Sequence, residues 1–195
     1  MELIFATNNQ HKANEIKAVV PSTIKIITLR EAGINLDIPE PYFTLEENAA
    51  EKGRTIFNYT GKSCFGEDTG LEVTALNGAP GVHSARYAGE NNSPEKNIEK
   101  LLHNLKLYQD RSARFRTVVF LLLNNIEYYF EGICAGNIST QPLGTEGFGY
   151  DPVFVPDGAI KTFAQMNMEE KNKFSHRKKA IDKLVTFLNN INLNK

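Results

Sequence analysis

Two long β-rich runs, Phe115 to Leu123 and Ile126 to Ile138, meet at Asn124-Asn125, and this pair constrains the fold more than any other stretch. Two residues of that kind between two such runs signal a hairpin. Shorter units surround it. Leu3-Ile4-Phe5-Ala6 reads as a buried strand, followed by a polar turn and a helix from about Asn9 to Val20, and Lys25-Ile26-Ile27-Thr28 reads as a second strand. Thr44 and Glu47 form a capping box for a helix to about Tyr59, stopped by Gly61. Ser63-Cys64-Phe65-Gly66 and Leu71-Glu72-Val73 are strand-like and flank an acidic turn, and Asn77 to Gly89 reads as loop. Ser93-Pro94 opens a helix to about Leu107, with proline at its first position. Val153-Phe154-Val155 is a short strand, and Ser175 caps a terminal helix with Ile181, Leu184, Val185 and Leu188 on its apolar face. The mixture predicts an α/β domain with a long mixed sheet and flanking helices. Residues 1–195 show no repeat and no separable linker, so one domain is expected.

The net charge of −1 gives no global field for a nucleic-acid polymer or an anionic membrane, so any anion site must be local. The N-terminus has neither the length nor the charge of a signal peptide, and no apolar run approaches a membrane span. Cys64 and Cys134 lie far apart without metal-ligand spacing, as in a reduced, cytoplasmic protein.

Thr7-Asn8-Asn9-Gln10-His11-Lys12 fills the turn between the first strand and helix, a position whose free N–H groups make an anion seat in α/β sheets. Lys12 there opposes the helix dipole by roughly 0.3–1 kcal/mol, a sign that a bound phosphate would reverse. His176, Arg177, Lys178 and Lys179 repeat the anomaly at the terminal helix, either as a solvated basic face or as the seat of a polyanion. Lys52 shares the apolar stripe of Leu45, Ala49, Ile56 and Tyr59, and must either find a partner or snorkel outward.

Glu67-Asp68-Thr69-Gly70 sets two adjacent carboxylates on a strand-end turn. Neighbours on a strand face opposite ways, so a bend or two different roles are needed. Carboxylates with few other ligands suit Mg²⁺, and Glu40, held by Pro39 and Pro41, is a plausible second ligand. In Gly147-Phe148-Gly149-Tyr150-Asp151-Pro152, two glycines lift two aromatics on a bent backbone, and Pro152 is expected to hold Asp151 extended. Such faces either stack on a planar ligand such as a nucleobase or plug a core edge.

Taken in order, these segments resemble the inosine triphosphate pyrophosphatase (Ham1-like) family over nearly the whole chain. The resemblance rests on Thr7-Asn8-Asn9 with Lys12 and Glu15, Glu46 to Ala49 with Lys52, and Glu67 to Leu71. It continues through Gly78 to Gly81, Ser84 to Tyr87, Gly147 to Pro152, Glu170-Lys171 and Ser175-His176-Arg177. It implies two lobes around a central cleft, a homodimer, and Mg²⁺-dependent cleavage of ITP, dITP and XTP to the monophosphate and pyrophosphate. It implies that Thr7 to Lys12 hold phosphates with Lys52 close by, and that Asp68 is both general base and metal ligand, with Glu40 the other ligand. By the same resemblance Thr69 would contact substrate, and the presence of Glu67 together with Lys12, Lys52 and Asp68 is expected to serve catalysis. Phe148, Gly149, Tyr150, Asp151, Lys171, His176 and Arg177 would bind the nucleotide, the last two at the base. The family usually has Gly or Ser at Asn8, and many members read Asp-Asp-Ser-Gly at Glu67 to Gly70. The rivals are a Maf-like pyrophosphatase of other base specificity and a nucleotide sensor without turnover.

Overall fold

The structure is a computed structural model and describes residues 1–89 and 93–193. In chain order it contains β1 (Glu2–Phe5), α1 (Gln10–Lys17), β2 (Lys25–Thr28), α2 (Leu45–Thr60), β3 (Cys64–Val73) and β4 (Pro80–Gly81). There follow α3 (Pro94–Asn104), β5 (Ser112–Leu123), β6 (Ile126–Ile138), β7 (Phe154–Pro156), α4 (Met168–Asn172) and α5 (His176–Leu193). The strands bond in the order β2-β1-β3-β5-β6-β7, with β4 on β3. β1 is parallel to β2 and β3, whereas β4 and β7 are antiparallel to β3 and β6, so the sheet is mixed as expected. Asn124 and Asn125 join β5 to β6 with φ of 52° and 63°, the left-handed pair that a tight hairpin turn needs. No helix among the described residues is long and apolar enough to cross a membrane.

Helix ends follow local chemistry. Thr44 accepts a hydrogen bond from the Glu47 N–H at the start of α2, and Gly61 ends it at φ 66°. α1 stops at Lys17 rather than near Val20, because both Val19 and Val20 donate to the Ile16 carbonyl ahead of Pro21. α3 ends at Asn104 rather than Leu107, its continuation drawn into tighter turns by Lys106 and Tyr108 donating to His103 and Leu105.

The chain divides into two compact units. One comprises Met1–Asp68, Thr117–Gly132 and Arg177–Lys195, the other Thr69–Arg116 and Ile133–His176. In the first, strand alternation sorts the residues cleanly. Leu3, Phe5, Phe65, Val119 and Leu121 pack with Ala13 and Ile16 of α1 and Ala180, Ile181, Leu184 and Leu188 of α5. The opposite parity of β3 meets α2: a Cβ on Gly66 would lie 2.0 Å from the Ala49 carbonyl oxygen. In the second unit, Leu71, Val73, Ile98, Leu101, Phe115, Phe154 and Phe163 form the core, with Phe115 4.7 Å from the Phe154 ring.

β3 runs unbroken from Cys64 to Val73, so Glu67 and Asp68 lie inside a buried strand and not on a turn at its end. Two charges are tolerated there because cations from neighbouring helices neutralise them.

Candidate active site

Glu67 and Asp68 point to opposite faces of β3, and each finds its own cation. Glu67 shares the parity of Phe65 and reaches α1 and α5. Its Oε2 lies 2.6 Å from Lys12 Nζ, and its Oε1 accepts from Arg177 Nε at 3.0 Å. Arg177 Nη1 also pairs with Glu15 of α1. Glu15, Glu67 and Arg177 are all buried. Burial opposes the charge of Arg177, and Glu67 and Glu15 more than offset it. The basic first turn of α5 is thus partly neutralised within the protein, since Lys178 also pairs with Asp182 one turn on.

Asp68 shares the parity of Gly66 and meets α2. Lys52 Nζ donates to Asp68 Oδ1 at 3.0 Å and to the Glu67 carbonyl at 3.1 Å, and it also pairs with Glu40. The inward lysine therefore has its partners and is only 7% exposed. Burial works against its charge, but Asp68 and Glu40 together hold its pKa above the ordinary lysine value. Burial likewise pushes the Asp68 carboxyl above the usual aspartate range, with Lys52 and Lys12 pulling it back only in part. Asp68 Oδ2 is buried and has no hydrogen-bond partner. An oxygen of that kind is costly unless a cation or a proton-bearing ligand meets it.

The loop before α1 is built by its own polar residues. Asn9 caps the helix by accepting from Lys12 N–H at 3.1 Å, and Thr7 Oγ1 accepts from Asn9 N–H at 3.1 Å. Asn8 donates to the Leu36 carbonyl at 2.9 Å and stays outside the left-handed region, so nothing in the turn calls for glycine there. Gln10 bonds Asn14 at 2.8 Å, and His11 is exposed. A cavity of about 500 Å³ opens beside this loop, with Thr7, Asn8, Asn9, Gln10 and Arg30 in its lining.

The second unit holds Thr69, half-buried in β3, and the glycine-aromatic loop. Gly147 and Gly149 take φ of 77° and 61°. A Cβ on Gly147 would lie 2.0 Å from Asp151 Oδ2, so that carboxylate needs the glycine. Asp151 Oδ2 accepts from Phe148 N–H at 2.9 Å and from Lys171 Nζ at 2.6 Å. Asp151 is not extended before Pro152 as expected. It opens a short 3-10 turn, drawn in by those two bonds and by its own N–H donating to Phe148. Tyr150 is buried and its hydroxyl donates to the Ser84 carbonyl at 2.9 Å, which makes it a core anchor and not a stacking face. Phe148 is half-buried, with the Lys171 ammonium 5.4 Å from its ring centroid. His176 is buried and stacks on Phe115 at 4.7 Å.

Two residues that the sequence reading named without a role contribute here. Glu15 follows Lys12 by three positions, which puts both on one helix face, a legible signal whose partner Arg177 is remote in sequence. Asn48, fully buried, accepts from Tyr42 N–H at 3.0 Å and donates to the Tyr42 carbonyl at 3.1 Å, tying the Glu40 loop to α2.

The chain resembles known proteins along almost its entire length. It is 49% identical over 188 residues to the dITP/XTP pyrophosphatase of Christiangramia forsetii, covering 96% of this chain and 99% of the relative. The dITP/XTP pyrophosphatase of Porphyromonas gingivalis is 47% identical over 188 residues, covering 96% and 97%. Among solved structures, the Staphylococcus aureus Ham1 protein superposes with a TM-score of 0.88 at 41% identity, covering 97% of this chain and 99% of that one. A Coxiella burnetii HAM1 protein gives 0.89 at 37% identity, with coverage of 97% and 99%. Residues 3–187 match the Ham1 family, and the chain belongs to it.

Proposed function

We propose that this chain hydrolyses dITP and XTP, and ITP with them, to the monophosphate and pyrophosphate, so removing deaminated purines from the nucleotide pool. The observation that carries the reading is Asp68, a buried carboxylate braced by Lys52 with one oxygen left unsatisfied, in a chain so similar to dITP/XTP pyrophosphatases.

The residues suit Mg²⁺. Glu40 and Asp68 offer only oxygen, the preference of that ion, and the bare Asp68 Oδ2 is a natural ligand atom. No group of three or more His, Cys, Asp or Glu that could hold a metal occurs among the described residues. Such a site fits an ion that keeps waters and takes the rest of its ligands from substrate phosphates. When bound, Mg²⁺ would supply charge neutralisation at the phosphates and a lowered pKa for water.

Asp68 accepts a proton from the water that attacks the α-phosphorus, and the Lys52 ammonium at 3.0 Å, with a bound cation beside it, would keep the carboxylate ionised for that role. The bond from the α-phosphorus to the bridging oxygen breaks, and pyrophosphate takes the electron pair. Lys12 and Lys52 neutralise charge developing on that leaving group. Glu67 holds Lys12, and the Thr7 to Lys12 loop binds phosphate oxygens. Thr69 contacts the substrate.

Phe148 stacks on the base, Gly149 allows its approach, and Lys171 is aligned by Asp151. His176 donates to the purine 6-oxo group, and so does Arg177, through N–H groups other than the Nε and Nη1 prongs that Glu67 and Glu15 hold. Adenine presents a 6-amino donor there, which leaves buried donors unpaired at roughly 1–3 kcal/mol each. The assembly in this reading is a cytoplasmic homodimer, which light scattering checks. Purified protein incubated with dITP, XTP and dATP in Mg²⁺ should release pyrophosphate from the first two in strong preference. Orthophosphate as the first product, or equal use of dATP, would overturn the reading.

A further inference from the structure

We infer that Glu15 is a positioning residue that sets where Lys12 holds its charge, acting through Arg177 and Glu67. The inference rests on the reading above that Lys12 serves the leaving phosphates. Four charges of alternating sign run from a buried trio out to the partly exposed Lys12. Glu15 pairs with Arg177 Nη1, Arg177 Nε donates to Glu67 Oε1 at 3.0 Å, and Glu67 Oε2 lies 2.6 Å from Lys12 Nζ. Glu15, Arg177 and Glu67 are 6%, 2% and 2% exposed, so water screens these pairs little.

The guanidinium is a rigid planar fork, and here two prongs are set by two different carboxylates. Its tilt is therefore fixed by Glu15 as much as by Glu67. Lys12 has reason to leave. It stands in the first turn of α1, against the helix dipole, and its side chain retains 16% exposure. Glu67 is what draws it inward. Without the negative charge of Glu15, Arg177 presses its whole charge on Glu67 and competes with Lys12 for the same carboxylate. Lys12 then loses its fixed place. Both Lys12 and Glu15 lie on α1, three positions apart, so a shift at one end is carried by the same rigid element as the other.

The test is a double-mutant cycle read by calorimetric binding of pyrophosphate in Mg²⁺, with dITP turnover alongside. Glu15→Gln, which keeps size but not charge, and Lys12→Met should each weaken pyrophosphate about tenfold, as for a lost charge-assisted hydrogen bond. Combined, they should be no more than about twofold worse than Lys12→Met alone, because the first acts through the second. Combined with Lys52→Met, on the opposite face of β3, the losses should multiply. Glu15→Asp, which keeps the charge, should recover part of the affinity. If Glu15→Gln does not fold, Glu15→Asp enters the same cycle with the same expectation of non-additivity.

Unchanged pyrophosphate affinity with only a lower melting temperature would overturn the inference in favour of a purely structural acid. Multiplying losses with Lys12→Met, equal coupling to both lysines, or a change confined to the dITP-over-dATP ratio would also overturn it. A wild-type protein that releases no pyrophosphate from dITP sinks the proposed function instead, whereas a multiplying cycle in an active enzyme sinks only this inference.

Discussion

Lys52 Nζ reaches to 3.0 Å from Asp68 Oδ1 where Gly66, two residues before Asp68, leaves no side chain between β3 and α2. A Cβ on Gly66 would stand 2.0 Å from the Ala49 carbonyl oxygen and 3.0 Å from Lys52 Cβ. A Cβ on Gly53 would stand 2.4 Å from the Phe120 ring. Close packing of this kind is what lets a lysine stem lie flat and bring its ammonium to a strand carboxylate.

Gly66→Ala should therefore damage the site without touching a charged residue. The methyl cannot be accommodated against backbone, so stability should fall by about 1–3 kcal/mol or more. Turnover of dITP should fall as well, because α2 carries Lys52 away from Asp68. Thermal melting and steady-state kinetics check this. Wild-type stability in the variant would mean that α2 and β3 are not packed as described.

Lys52→Met removes the cation that braces Glu40 and Asp68. The metal-free protein should lose about 3–5 kcal/mol, the usual cost of stripping one partner from a buried ion pair. Mg²⁺ should then raise the melting temperature of the variant more than that of the wild type, because the ion meets carboxylates relieved of a competitor. An equal or smaller shift in the variant would separate Lys52 from the metal ligands.

A surface cluster gives the pH dependence. Glu31 accepts from Lys17 Nζ at 2.6 and 2.7 Å and from Thr28 N–H and hydroxyl, both at 2.9 Å. Lys17 first, then Thr28, hold its carboxyl at about 2 against an ordinary value of 4.5. A depressed pKa means stability that is fully present above pH 4.5 and is lost as pH falls toward 2. The pair is half exposed and screened, so its share is at most about 1 kcal/mol. Melting temperature should fall less steeply through that window in Glu31→Gln than in the wild type. Identical slopes would remove Glu31 from the acid response.

Local signals in the sequence were enough for the hairpin, since Asn124 and Asn125 carry their backbone preference with them. They were enough for α2, whose start and stop are written in Thr44 and Gly61. The inward face of Lys52 followed from helical spacing. The continuity of β3 did not, because Glu67-Asp68 reads as turn chemistry until its cations are known. Those cations come from α1, α2 and α5, and Arg177 is 110 residues from Glu67. The sequence left Tyr150 open between a stacking face and a core plug for a related reason: its acceptor, the Ser84 carbonyl, is 66 residues away and has no sequence signature. Long-range pairing decided both.

Asp68→Asn tests the proposed chemistry most directly. The change keeps the size of the side chain and removes its capacity to take a proton, together with one metal-binding charge. The kcat for dITP in Mg²⁺ should fall by about 10²–10⁴-fold, the range for loss of a general base. Nucleotide binding, measured by calorimetry, should fall far less. A variant that releases pyrophosphate from dITP at near wild-type rate would contradict the role given to Asp68 and, with it, the whole assignment of the β3 carboxylates.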